Sequence, residues 1–283
     1  MISCPLPAAI ASFTALLGNL MGAVNAALVP QKLVEGGMEP SQAISELGVV
    51  CGMTLPMLAL PTVFLSAMSL VLVPRLARST ALNRPQAVRR TISKALSAVS
   101  VLALPAMGMM AVLGEELGVL LFRQEAVGEY LLPLAAATAL SCYQAILGAS
   151  LNGVGRQGTV AWISLVCDGV QLAFTACLVG VPSVGMGGFV AGMLVSTALG
   201  LVLCAWRLRA FTGLSFHLFH WVTAPGLAAL LSALVTNLLF QVLRDSGVPV
   251  LWRIPGALAF GLVLYIAALS AQGVPLRGLF RLE

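Results

Sequence analysis

The first charged residue in the chain is Lys32, so the stretch from Met1 to Gln31 carries no formal charge. Similar stretches run from Leu47 to Pro74, Ala95 to Gly114, Tyr130 to Gly155, Ala210 to Leu243 and Ile254 to Leu276. Between Gln157 and Trp206 the only charge is Asp168. A helix needs about 20 apolar residues to cross the hydrocarbon of a bilayer, and every one of these stretches reaches that length. Over the whole chain 59% of residues are apolar and 9% charged, against roughly 25% charged in soluble domains. Lipid must therefore be the solvent, and soluble, disordered, collagen-like and coiled-coil readings are excluded.

The stretch from Gln157 to Trp206 is twice as long as one crossing needs and must fold back, with Gly180-Val181-Pro182-Ser183-Val184-Gly185 as the turn. Eight transmembrane helices are thus predicted, over 5–30, 47–74, 92–113, 127–150, 158–180, 185–206, 219–243 and 252–272, in one all-α integral membrane lobe spanning 1–283. Loop charge tests the count, because Lys and Arg collect on the cytoplasmic side. With both termini cytoplasmic, 11 basic residues (Arg75, Arg78, Arg84, Arg89, Arg90, Lys94, Arg156, Arg207, Arg209, Arg277 and Arg281) fall inside and four outside. Acids run the other way: Glu35, Glu39, Glu46, Glu115, Glu116, Glu125, Glu129 and Asp245 lie outside, and Glu283 inside. The first stretch lacks a basic n-region and is too long for a signal-peptide core, so it reads as a retained helix. The net charge of +5 belongs to loops facing anionic lipid; nothing points to nucleic acid.

Few motifs carry chemistry. Cys4, Cys51, Cys142, Cys167, Cys177 and Cys204 have no paired spacing and read as buried thiols. Gly153-Val154-Gly155-Arg156-Gln157-Gly158 spells the dinucleotide fingerprint, but it joins two membrane helices rather than following a strand, so a tight turn is expected. Gly18/Gly22 and Gly188/Gly192 have the spacing that lets helices approach closely. Pro56, Pro61 and Pro105 lie inside spans, where each removes a backbone hydrogen bond. His217 and His220, among aromatic residues, read as an interfacial belt rather than a metal site. With no nucleophile–base arrangement, metal spacing or paired intramembrane carboxylates, the chain does not read as an enzyme.

Asp168 is the one acid deep inside a span, and such a charge must be paired, hydrated or protonated. Ser164 and Gln171, one helical turn away on either side, form a polar patch with it. Two readings stand side by side, a cation site or protonation switch and a hydrogen-bonded structural carboxyl. Asn19 and Asn25 on the first helix are candidate partners, while Gln144, Tyr143 and Asn152 read as interhelical contacts.

Several stretches together resemble a known family: Leu28-Val29-Pro30-Gln31-Lys32-Leu33 with Gly36-Gly37, Glu46-Leu47-Gly48, Leu60-Pro61, Ser69-Leu70-Val71-Leu72-Val73-Pro74-Arg75, Gln144-Ala145-Ile146-Leu147, Leu151-Asn152-Gly153-Val154-Gly155-Arg156 and Val184-Gly185-Met186-Gly187-Gly188. The succession resembles the C-terminal half of the stage V sporulation protein B and polysaccharide-transporter branch of the MOP superfamily, which includes MurJ-like flippases and MATE exporters. The resemblance implies a two-lobe, rocker-switch exporter in the cell membrane, with an undecaprenyl-linked sugar precursor of cell wall, spore cortex or polysaccharide as cargo. It implies a sodium site, with Asn25 at the position on the first helix and Ser164 and Asp168 as the pair on the fifth; Asn25 stands where many relatives carry an acid. Counted along the helices, Asn25 lies near the outer end and Asp168 near mid-span, which keeps Asn19 as the alternative. Sodium or a proton would be the coupling ion, and no other cofactor is implied. The six-helix first lobe would precede Met1, so the chain is expected to be a truncated reading frame or one part of a split transporter with a separate N-terminal lobe. The alternatives are a MATE-like exporter of organic cations and a non-transporting scaffold in cell-wall or spore synthesis.

Overall fold

The computed structural model describes residues 5–213, 222–246 and 249–272. His217, His220, the start of the predicted span 219–243 and Arg277 and Arg281 lie outside these residues. Within them the chain is helical throughout, with no strand. The elements are α1 (Pro5–Glu35), α2 (Pro40–Leu47), a π-helical segment (Gly48–Thr54), α3 (Leu55–Ala59), α4 (Thr62–Ala81), α5 (Pro85–Val112), α6 (Gly114–Phe122), α7 (Ala126–Gly153), α8 (Gln157–Leu178), α9 (Met186–Thr212), α10 (Ala224–Asp245) and α11 (Val250–Ala271).

Among the described residues, eight stretches are long and apolar enough to cross a membrane: Pro40–Ala59, Thr62–Ala81, Pro85–Val112, Ala126–Gly153, Gln157–Leu178, Met186–Thr212, Ala224–Asp245 and Trp252–Ala271. The 31-residue α1 precedes them. The first two stretches are halves of one crossing. The Tyr130 hydroxyl, at the start of α7, donates to the Glu46 carboxylate at 2.9 Å. At the other end of α7, a Cβ on Gly153 would lie 2.7 Å from Leu76 Cβ. The thirty residues from Glu46 to Leu76 span about 45 Å as helix, enough to run the length of α7 once. The predicted span 47–74 is therefore a longer helix over 40–81, bent on the way.

The bend has local causes. Pro56 and Pro61 have no N–H to give to the preceding turn. Upstream, the Thr54 hydroxyl donates to the Val49 carbonyl at 2.9 Å, five residues back, across the π segment. At the second proline Leu60 N–H reaches the Met57 carbonyl at 3.3 Å, and the Thr62 hydroxyl takes up the Ala59 carbonyl at 2.7 Å. Inserted side-chain bonds and missing N–H groups are what bend helices.

Two other differences from the sequence reading concern helix ends. Pro85 opens α5 seven residues before the predicted start at 92, because proline suits a first helical turn and the following arginines sit on helix rather than in a loop. The connection after α5 holds an unforeseen short helix, α6, whose Gly114 and Gly118 fit against Leu131 and Val127 of α7.

The centre of the bundle is α5 and α7. On α7, Leu131, Leu134, Ile146, Leu147 and Leu151 are fully buried, with Leu72 and Leu76 of α4 and Ile92 and Val99 of α5. The Tyr143 hydroxyl donates to Ser100 Oγ at 2.7 Å, and Ser100 donates in turn to the Leu96 carbonyl at 3.1 Å. The α10–α11 hairpin packs on α5 through Tyr265, whose hydroxyl donates to the Val101 carbonyl at 3.1 Å. Peripheral helices leave large apolar side chains uncovered, such as Leu70 (78% exposed), Phe64 (72%) and Trp162 (71%). In water this would be an aggregation surface; in a bilayer it is a lipid-facing one.

The expected tight turn at Gly153–Gly158 is present. Gly155 adopts φ +79, its N–H bonds to the Asn152 carbonyl at 3.0 Å, and Arg156 N–H bonds to the Leu151 carbonyl at 2.9 Å. These two bonds close a Schellman motif, in which glycine takes the left-handed position at no steric cost. The fingerprint spacing is turn chemistry, with a helix and not a strand before it.

Candidate functional site

The helix carrying Asp168 is held between α1 on one side and α9 on the other. Helix α9 presents a row of small residues, Gly188, Gly192, Ser196 and Gly200, at four-residue intervals. A Cβ on Gly188 would lie 2.8 Å from Leu178 Cβ, one on Gly192 2.7 Å from Phe174 Cβ, and one on Gly200 2.8 Å from Cys167 Sγ. The row thus seats α8 closely along its length, as small residues do between membrane helices. The Gly18/Gly22 pair does not work this way, since a Cβ on either would meet open space.

On the α1 side, Gly36 closes on Gly180: a Cβ on Gly36 would lie 2.9 Å from the Gly180 carbonyl oxygen. Both residues follow the C-terminal ends of their helices, so α1 and α8 run parallel. That register sets the depth of the site. Counted back from this contact, Asn25 falls within about a turn of Asp168 and Gln171 rather than well above them.

Between α1, α2, the π segment, α7, α8 and α9 lies a cavity of about 350 Å³. Its polar lining comes from Asn25, Gln144, Asp168, Gln171, Ser196 and Thr197. Gln171 is committed to structure: its Nε2 donates to the Phe189 carbonyl at 3.2 Å, and its Oε1 accepts from the Ser196 hydroxyl at 3.2 Å. Thr197 donates to the Met193 carbonyl at 2.7 Å. Asp168 receives no hydrogen bond and makes no ion pair among the described residues. The Asn25 Oδ1 is buried without a partner among the described residues. A carboxyl group and an orphaned amide oxygen thus share one cavity, a combination that suits a cation or a proton and disfavours an anion. Among the described residues no three His, Cys, Asp or Glu converge for a transition metal. Hard oxygen ligands of this kind suit a cation such as sodium.

The predicted site residues separate into groups. Asn25, Asp168 and Gln171 meet in this cavity. Ser164 lines a different cleft of about 630 Å³ between α4, α7 and α8, with Ser69, Ser141 and Asn152. Asn19 is exposed and lines neither. Gln144, which the sequence suggests as an interhelical contact, lines both cavities, and its side chain occupies the space that a Cβ on Gly200 would take. Ser196 and Thr197 were not foreseen, although Ser196 continues the Gly188/Gly192 spacing one step further. Cys51 of the π segment also faces the cavity.

No protein-family model and no curated protein matches the chain.

Proposed function

We propose that the chain is a membrane lobe of a flippase for lipid-linked oligosaccharides, of stage V sporulation protein B type, driven by an ion gradient through Asp168. The observation that carries this reading is the pairing of Asp168 with the unpartnered Asn25 Oδ1 in one cavity between parallel helices. A lone intramembrane carboxylate lacking a donor is a costly feature for a purely structural helix. It is economical as the seat of a coupling ion, sodium or a proton. The lobe would rock against a second, six-helix lobe, since alternating access needs two bodies around a shared cargo path. The cargo would be an undecaprenyl-linked sugar of cell-wall, spore-cortex or polysaccharide synthesis. The lobe would sit in the cell membrane with its arginine-rich end in the cytoplasm, and it would move cargo without catalysing a reaction.

A MATE-like exporter of organic cations is the second reading, favoured by one observation: among the described residues the only formal charge lining this cavity is acidic. Thermal unfolding of the purified chain in sodium against choline chloride, for wild type and Asp168→Asn, tests the ion site. Sodium-dependent stabilisation that disappears in the variant supports it. Equal behaviour of the two proteins in both salts and across pH removes it and leaves the scaffold reading. Export assays after co-expression with a first lobe then separate sugar-lipid from cation cargo.

A further inference from the structure

We propose that the hairpin between α4 and α5 is a binding site for clustered phosphate charge, the chemistry of a lipid headgroup bearing two phosphates or of a free diphosphate. The inference stands apart from the transport reading, because it concerns the opposite end of the molecule from the α1–α8 contact and none of the Asp168 cavity. A cavity of about 930 Å³ opens there, lined by Arg75, Arg84, Arg90 and Lys94, with Ser79 and Thr91 as hydroxyl donors. That volume is in the range of small-molecule sites.

Two features set it apart from an ordinary basic loop. First, among the described residues none of the four cations pairs with an acid. No Asp or Glu occurs anywhere between Glu46 and Glu115. Second, they are presented by rigid backbone. Arg75 and Lys94 are half-buried on helices. The connecting turn is a Schellman motif, with Asn83 at φ 50, Asn83 N–H on the Thr80 carbonyl at 3.0 Å and Arg84 N–H on the Ser79 carbonyl at 3.0 Å. Pro85 then starts the next helix. The neighbouring arginine shows the contrast: Arg89 Nε donates to the Thr212 carbonyl at 2.8 Å and ties α5 to α9, whereas Arg90 lines the cavity. A tendency of basic residues to gather at one membrane face explains the number of cations, but not their convergence on one preformed cavity.

Like charges held together favour a ligand with matching opposite charge. A single phosphodiester neutralises only one of the four cations, so a ligand with two phosphates fits better. Such a ligand comes from the leaflet, as diphosphatidylglycerol, or from solution, as pyrophosphate.

The test uses the purified full chain in neutral detergent. Native mass spectrometry counts bound diphosphatidylglycerol against phosphatidylcholine, and inorganic pyrophosphate is titrated alone and as competitor. Two double variants are compared with wild type. Arg90→Gln/Lys94→Gln removes two cavity cations. Arg207→Gln/Arg209→Gln removes two cations from the same end but outside this cavity. The expected result is about tenfold weaker binding in the cavity variant and less than about twofold change in the other. Pyrophosphate binding on its own with no preference between lipids identifies a soluble ligand. Displacement of a preferred diphosphatidylglycerol identifies the headgroup. Equal weakening in both variants, or no binding of either probe, overturns the proposal. If the double cavity variant does not fold, Arg84→Gln on the exposed turn replaces it, with the same expected direction.

Discussion

Gly36 and Gly180 touch closely enough that a Cβ on the first would lie 2.9 Å from the carbonyl oxygen of the second. This contact ties the ends of α1 and α8 and places Asn25 beside the cavity that holds Asp168. Gly36→Val should destabilise the chain by about 1–3 kcal/mol through overpacking against backbone that cannot yield. It should also weaken sodium-dependent stabilisation, by moving Asn25. Unfolding of the variant in detergent, with and without sodium, measures both. A variant as stable as wild type would show that α1 is free to shift.

Asp168→Asn should leave stability unchanged or raise it by up to about 1 kcal/mol, because the carboxylate has no donor to lose and the amide carries no charge to desolvate. A structural carboxyl would behave in the opposite way. Chemical denaturation in a sodium-free buffer distinguishes the two.

The Tyr143–Ser100 bond predicts an asymmetry. Tyr143→Phe leaves Ser100 bonded to the Leu96 carbonyl and should cost about 0.5–1.5 kcal/mol. Ser100→Ala strands the buried Tyr143 hydroxyl and should cost more, about 1–3 kcal/mol. Paired unfolding measurements in which the phenylalanine variant is the less stable one would contradict the hydrogen-bond assignment.

Glycines of similar sequence setting should respond differently. Gly200→Ala places a methyl group on the Gln144 amide and Cys167 Sγ and should be destabilising by about 1–3 kcal/mol. Gly22→Ala meets open space and should stabilise by about 0.4–1 kcal/mol, since alanine is the better helix former. Melting temperatures of the two variants are the check.

The crossings were legible because charge is so sparse that its position marks where helices leave the lipid. Glu46 misled the boundary: a lone acid reads as the end of a span, yet here Tyr130 supplies it with a hydrogen bond and helix continues on both sides. The turn at Gly155 was legible from glycine spacing. The division of Ser164 from Asp168 was not. Residues four apart differ by about 40° in direction around a helix, and α8 lies between two cavities, so that offset decides which one each side chain lines. Nor did any single residue announce the π segment. Thr54 donates five residues back across it, and nothing in the local pattern distinguishes that from an ordinary turn.

The bent helix over 40–81 uses thirty residues, from Glu46 to Leu76, to run alongside a part of α7 that needs twenty-three, from Tyr130 to Gly153. The surplus is about 10 Å of helix. That slack has to be taken up by curvature, and it is taken up where Pro56, Pro61 and the π segment lie. Cys51 lies on that arc, so the same curvature sets where one wall of the Asp168 cavity stands.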